Sequence, residues 1–397
     1  MSVIYSQTEV YHILDVLGNG TFGKVVKCRR QSDGELVAVK IMSYDAIGSQ
    51  LIKNELKLIT TMLQSNLKTS HIVHFFEAFC DPTQHYLVFE MLEKNLYELQ
   101  KENGFRPLPV RNIRTVTCQM LTALAKLREL AIIHADLKPE NIMIVNQQRF
   151  PFRVKLIDFG SSSIFSEVRF VKEPYIQSRF YRAPEILLGL PFCEKVDMWS
   201  LGCVMAELYL GWPLYPGESE FEQVRYICET QGLPHSHLLN IATKTNLFFQ
   251  LTIDQHGAPA WELRPSMQGP NREVTEHRKY IFSSLDQLCN LNITKDNKTF
   301  CSEDEAAEIT DCHYMVELIK RMLAFISHQR INPDAALRHS FITLTHLDSP
   351  DTQSYYDLSL RELQKALIQT SSTGHRVKHC NPKAEQETGN LGRLKEE

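Results

Sequence analysis

Residues Ala131–Gly160 read AIIHADLKPENIMIVNQQRFPFRVKLIDFG, and this stretch decides how the rest of the chain is organised. Asp136 stands between an apolar run, Ala131, Ile132 and Ile133, and a polar turn, Lys138, Pro139 and Glu140. It therefore reads as a loop carboxylate positioned by a packed anchor. Asn141 follows five residues later. After a hairpin-like interval with Val154, Leu156 and Ile157 comes Asp158 in Asp-Phe-Gly, where Gly160 is free to take backbone angles that other residues avoid. These groups suit a phosphorylated ligand: one carboxylate to orient an acceptor hydroxyl, and an amide with a second carboxylate to hold magnesium. A solvated, charge-rich turn would account for Asp136 and Asn141, but not for Asp-Phe-Gly at the matching distance.

Upstream, residues 11–43 alternate as strands do, with the turn Ser32-Asp33-Gly34 between two of them. Gly18, Gly20 and Gly23 form G-x-G-x-x-G, which lets backbone amides approach phosphate oxygens without side-chain obstruction. Dinucleotide-binding folds use the same letters before a helix, whereas here a strand, Lys24 to Cys28, follows. Lys40 ends the apolar run Val37-Ala38-Val39 with a cation directed at the α and β phosphates. The segment LIKNELKLITTML has helical spacing at Leu51, Ile52, Leu56, Ile59 and Met62, and it carries Glu55 as a carboxylate to hold Lys40. Residues Pro109 to Leu130 form a second amphipathic pattern, expected to be the core beneath the Asp136 loop.

With these motifs the chain resembles the eukaryotic protein kinases. The segment from Tyr175 to Glu185, YIQSRFYRAPE, is similar to the CMGC group of that family, above all to the homeodomain-interacting protein kinases and next to the dual-specificity tyrosine-regulated kinases. The resemblance covers roughly Tyr11 to Thr345. It implies an α+β, two-lobed fold, with a small antiparallel-sheet lobe carrying one main helix and a larger, mainly helical lobe. It further implies ATP and magnesium (Mg2+), transfer to serine or threonine of protein substrates, and Asp136, Lys138, Lys40 and Glu55 as the catalytic set. Asn141 and Asp158 take the metal. Leu17, Gly18, Asn19, Gly20, Gly23, Val25, Ala38 and Lys40 contact the nucleotide, with Phe89 behind the adenine and Glu90 and Leu92 offering backbone hydrogen bonds at the hinge. Glu185 is expected to pair with Arg330, and Asp197 to accept backbone donors of the catalytic loop.

Where most kinases have arginine before the catalytic aspartate, this chain has Ala135. Two arginines lie four and seven residues after Tyr175. The reading is that the chain phosphorylates its own Tyr175 and that Arg179 and Arg182 hold the phosphate. The Ser178-Arg179 and Tyr181-Arg182 pattern implies, by the resemblance, a preference for proline just after the acceptor residue.

The expected organisation is an N-terminal extension over 1–10, a kinase domain over 11–345 (small lobe 11–92, large lobe 93–345, with an insert near 235–311), and a partly disordered tail over 346–397. At 397 residues and 43% apolar content the chain can bury a substantial core. A net charge of −4 gives no support to direct nucleic-acid binding or a membrane surface. Ten cysteines without CxxC pairing argue against zinc and for reduced thiols, hence a cytoplasmic or nuclear setting. No apolar leader or membrane-spanning run is read from the sequence. Protein substrates, transcriptional regulators among them, and a monomer are expected. Two other readings fit the residues less well. A pseudokinase scaffold usually lacks one of Lys40, Glu55, Asp136, Asn141 and Asp158, all present here, and a nicotinamide-dependent dehydrogenase needs a parallel sheet that the lysine strand contradicts.

Overall fold

A computed structural model describes residues 2–20, 23–43, 46–65, 69–168, 176–253, 255–265, 276–291 and 302–367. The small lobe is one antiparallel sheet. Its strands are β1 (Val3–Tyr5), β2 (Val10–Gly20), β3 (Gly23–Arg30), β4 (Leu36–Ser43), β5 (Phe75–Cys80) and β6 (Gln84–Glu90), in the spatial order β1-β2-β3-β4-β6-β5. Alternation along β3 and β4 sends Val26, Cys28, Val37, Val39 and Ile41 into a core shared with Tyr11, Tyr86 and Val88. The glycine-rich loop is the β2–β3 connection, with Gly20 opposite Gly23. Gly23 has φ +151°, and a Cβ there would lie 2.0 Å from the carbonyl oxygen of Ile41, so no larger residue fits without moving β4.

Helix α1 (Ala46–Leu63) leans on this sheet. Its Leu58, Ile59 and Met62 belong to the same apolar cluster as the large lobe, so α1 is packed against the unit that carries the catalytic loop. Helix α2 (Val110–Glu129) buries Ile113, Val116, Met120, Leu121, Leu124 and Leu127, as the periodicity predicts. Helix α3 (Lys195–Leu210) is buried on every side and forms the axis of the large lobe. The expected ion pair is present: Arg330 grips Glu185 through two bonds of 2.7 and 2.8 Å and also donates to the carbonyls of Lys195 and Ala324. The pair anchors α3, since Lys195 is its first residue.

Three segments at the edges of the expected units have defined structure. Residues 3–5, expected in an extension, pair with β2 as a sheet strand and bury Ile4 against Tyr11. Helix α4 (Ser302–Met322) starts inside the expected insert and packs Met315, Val316, Ile319 and Met322 into the main core. The insert's described remainder holds a hairpin, Phe249–Ile253 against Pro259–Leu263, and a 3-10 turn, Leu285–Asn290. Past 345, helix α5 (Gln353–Leu367) docks on the large lobe. There Tyr355 is buried with its hydroxyl 3.0 Å from Asp311, and Glu362 pairs with Arg111 at 3.0 Å. Residues 368–397, where disorder was expected, lie outside the described residues.

Candidate active site

The floor of the small lobe gathers the nucleotide-side residues by strand register. Val25 lies opposite Lys40, and Ala38 opposite Phe89. Ala38 and Lys40 are two apart, so all four side chains emerge on one face of the sheet. Phe89 is wedged edge-on against Phe75, with ring centres 5.5 Å apart. Leu17, on the glycine-rich loop, leaves 46% of its surface uncovered, an apolar roof that a flat ring would shield. At the hinge, Leu92 is buried. The Glu90 side chain is tied to Lys155 at 2.5 Å and to the His74 N–H at 2.6 Å, which fixes the strand end.

Lys40 is the centre of an ionic knot. Its Nζ lies 3.0 Å from both carboxylate oxygens of Glu55 and 3.1 Å from Asp158 Oδ1. Burial works against the lysine charge, but Glu55 and Asp158 outweigh it and hold Lys40 above its ordinary pKa. Burial likewise opposes charge on Asp158; Lys40 prevails and keeps that carboxyl below its ordinary range. Glu55 is only 2% exposed, and burial pushes its carboxyl up while Lys40 pulls it back. Asp158 itself takes the left-handed region at φ 61°, which turns its side chain beneath the knot. A Cβ on Gly160 would sit 3.3 Å from Asp158 Oδ1 and within 4 Å of Lys40 and Glu55, so glycine keeps this corner open.

Across the cleft, Asp136 is held from several sides. Lys138 Nζ reaches its Oδ2 at 2.8 Å, and the Ser178 hydroxyl donates to its Oδ1 at 2.7 Å. Asn141 Nδ2 donates to the Asp136 carbonyl at 2.8 Å and to Oδ2 at 3.1 Å. The loop below is pinned by buried Asp197, whose two carboxylate oxygens accept the N–H groups of His134 at 2.7 Å and Ala135 at 2.9 Å, as the sequence predicted. Ala135 has φ 65°, and its carbonyl accepts the Gln177 N–H at 2.9 Å, stitching the segment after residue 175 to the catalytic loop.

A divalent metal and a nucleoside triphosphate fit this donor set. With Nδ2 of Asn141 committed to Asp136, its amide oxygen is left as an acceptor, and Asp158 is a carboxylate kept ionised by Lys40. One amide oxygen and one carboxylate suit magnesium, which takes few protein ligands and completes its shell with phosphate and water oxygens.

Residues 11–342 match the model of the protein kinase domain. The chain belongs to the protein kinase family. It is 58% identical to homeodomain-interacting protein kinase 4 of Homo sapiens over 373 residues, 92% of this chain and 61% of that protein. It is 46% identical to homeodomain-interacting protein kinase 2 of Mus musculus over 348 residues, 87% of this chain and 29% of that protein. The likeness to the homeodomain-interacting branch inferred from YIQSRFYRAPE is thus borne out, and the chain spans about three-fifths of the length of the first of these relatives.

Six of the residues assigned to this site from sequence converge in space: Lys40, Glu55 and Asp158 in one knot, Asp136, Lys138 and Asn141 in a second cluster. Tyr175 lies outside the described residues. Of its two expected readers, Arg182 is 2% exposed and donates to the carbonyls of Ile176 and Gln177 and, at 2.7 Å, to Glu220. Arg179 reaches the Glu218 carbonyl at 2.6 Å, while its buried Nε has no partner among the described residues. The sequence reading missed what Ser178 does to Asp136. Forty-two positions separate the two, and only the fold brings them together. It also missed Gln177, which is buried at φ 67° and bonds Val196, Ser200 and Ala183 through its amide.

Proposed function

We propose that this chain is an ATP- and magnesium-dependent protein kinase that transfers the γ-phosphoryl group to serine or threonine of protein substrates. The observation that carries the reading is the intact Lys40–Glu55–Asp158 knot facing a restrained Asp136. Lys40 binds phosphate oxygens, and the Gly18–Gly23 loop closes over them with backbone amides. Asp136 orients the acceptor hydroxyl and takes its proton, while Lys138, beside that carboxylate, offers a cation to the phosphate in flight. Magnesium, when held by Asn141 and Asp158, would neutralise charge on the phosphates. A pseudokinase scaffold is the poorer reading, because a scaffold has no need to keep Lys40 paired and Asp136 bonded on three sides.

The preference for proline after the acceptor finds support in Gln177. Its left-handed backbone turns its carbonyl onto Arg182, which donates to it at 2.8 and 3.3 Å. A substrate N–H arriving there meets an acceptor already in use, a loss that proline, lacking the N–H, does not suffer. Autophosphorylation of Tyr175 belongs to the same proposal. The phosphate would satisfy Arg179 Nε and compete with Glu220 for Arg182.

The test is the purified chain with radiolabelled ATP, magnesium and paired peptides carrying proline or alanine after the serine. The reading expects transfer that needs magnesium and is at least about tenfold faster with proline, a difference of about 1.4 kcal/mol. No transfer to any peptide or to the chain itself would sink the kinase reading, and equal rates would remove only the proline preference. Mass spectrometry of bacterially expressed protein beside Asp136→Asn decides Tyr175: phosphate in the parent alone is expected, and none, or equal amounts in both, refutes self-modification.

A further inference from the structure

Among the described residues, those of α1 that pack into apolar clusters, Leu56, Leu58, Ile59 and Met62, all follow Glu55. The half of the helix that ends in Glu55 is tied down by a side chain instead: Asn54 Nδ2 donates to the Ser162 carbonyl at 3.0 Å. Ser162 is a firm anchor for that bond. It is fully buried, its N–H donates to the Phe159 carbonyl at 3.1 Å, and the next two residues, Ser163 and Ile164, pair with Ile133 and Ile132. Its hydroxyl donates to the His134 carbonyl at 2.9 Å, two residues before Asp136. One residue, two places past Asp-Phe-Gly, therefore touches both the helix that holds Lys40 and the loop that holds Asp136. A second tie from α1 to the same segment, Lys57 on Glu167, joins side chains that are 51% and 46% exposed, so solvent screens it.

We propose, resting on the ATP-dependent transfer inferred above, that Asn54 and Ser162 are positioning residues, a polar strut that seats Glu55 against Lys40 and steadies the Asp136 loop. Each acts through a neighbour, and the two serve different halves of the reaction. Asn54 serves ATP binding. When its bond is lost, the first half of α1 swings away, Glu55 leaves Nζ, and Lys40 is drawn to Asp158 alone rather than presented to the phosphates. Only molecules with the helix seated then bind ATP well, so the apparent affinity falls with the seated fraction. The Ser162 hydroxyl serves the catalytic loop. Without it the buried His134 carbonyl loses that donor, and the loop that carries Asp136 loosens while the Lys40–Glu55 pair stays in place.

The experiment is steady-state transfer to a peptide by the full chain, with ATP and peptide varied separately, beside hydrogen–deuterium exchange of the nucleotide-free protein. Asn54→Leu keeps the size and removes the donor; it should raise KM for ATP about fivefold to tenfold, the scale of one hydrogen bond, with KM for peptide and the melting midpoint as in the parent. Asn54→Asp, which sets a carboxylate against the Ser162 carbonyl, should raise it likewise. Ser162→Ala should lower kcat by about the same factor and leave KM for ATP unchanged. Exchange over residues 46–57 should speed up at least about threefold in both Asn54 variants, and Thr60→Ala, on the exposed face of α1, should match the parent throughout. With an active parent, KM for ATP within about twofold of parental in both Asn54 variants, or a lower melting midpoint as their only change, overturns the strut. A parent that transfers no phosphate sinks the kinase reading instead, and the strut is then judged on exchange alone: parental exchange over 46–57 in both variants refutes it.

Discussion

Asp197→Asn should cripple the kinase without touching any group that meets the nucleotide. The Asp197 carboxylate accepts two backbone N–H groups, from His134 at 2.7 Å and Ala135 at 2.9 Å, in a fully buried setting. An asparagine keeps one acceptor and turns an NH2 toward the other donor. The change loses one charge-assisted bond and leaves two buried donors facing each other, together about 3–5 kcal/mol. The loop has a reason to move when released, because an alanine at φ 65° carries about 1–2 kcal/mol of strain that the two bonds now hold. If about 3 kcal/mol of the loss falls on the working geometry of Asp136, kcat drops about a hundredfold. ATP affinity, which rests on Lys40 and Asp158 across the cleft, should change little. Steady-state transfer to a peptide, calorimetric ATP binding and a thermal melt separate these effects. A kcat within about threefold of the parent, less than 1 kcal/mol of barrier, with an unchanged melt would refute the reasoning.

Two further substitutions test the large lobe. Burial pushes the Glu207 carboxyl up to about 8, against the Tyr181 hydroxyl that donates to it at 2.7 Å. From the ordinary 4.5 up to about 8 the folded chain therefore binds more protons than the unfolded one, and this group makes stability fall as pH rises. Glu207→Gln should melt like the parent near pH 5 and above it at pH 8, and an unchanged pH slope would show that Glu207 is ionised throughout. Arg330→Leu strands buried Glu185 and should cost about 3–5 kcal/mol in urea unfolding, much of it recovered when Glu185→Leu is added. A single variant as stable as the parent would deny the pair its anchoring role.

What could be read from the sequence follows from how local each signal is. Lys40, Asp136, Asn141 and Asp158 sit in short motifs whose spacing encodes their roles, and the structure assembles them as expected. Glu55 needed helical periodicity as well, and Glu185–Arg330, 145 positions apart, needed the resemblance. Ser178 on Asp136 and Gln177 at a left-handed backbone depend on segments meeting in space, for which serine and glutamine leave no periodic trace. The outer segments show the same dependence on meeting in space. Three residues of β1 are too short to alternate visibly, and the helical stripe of α5, legible in the sequence, finds its apolar partners Ala307, Leu344 and Leu347 only in the fold.

The most direct test of the central claim compares Asp136→Asn with Asp158→Ala in pure protein, measuring phosphoryl transfer and ATP binding on the same samples. Asp136 is bonded to Lys138 and Ser178, whereas Asp158 is bonded to Lys40, so the two changes should separate catalysis from nucleotide binding. The account predicts that Asp136→Asn binds ATP like the parent but transfers at least about a hundredfold more slowly, and that Asp158→Ala loses magnesium-dependent ATP binding. Transfer by Asp136→Asn above about one per cent of the parent rate, with contaminating kinases excluded, would contradict it.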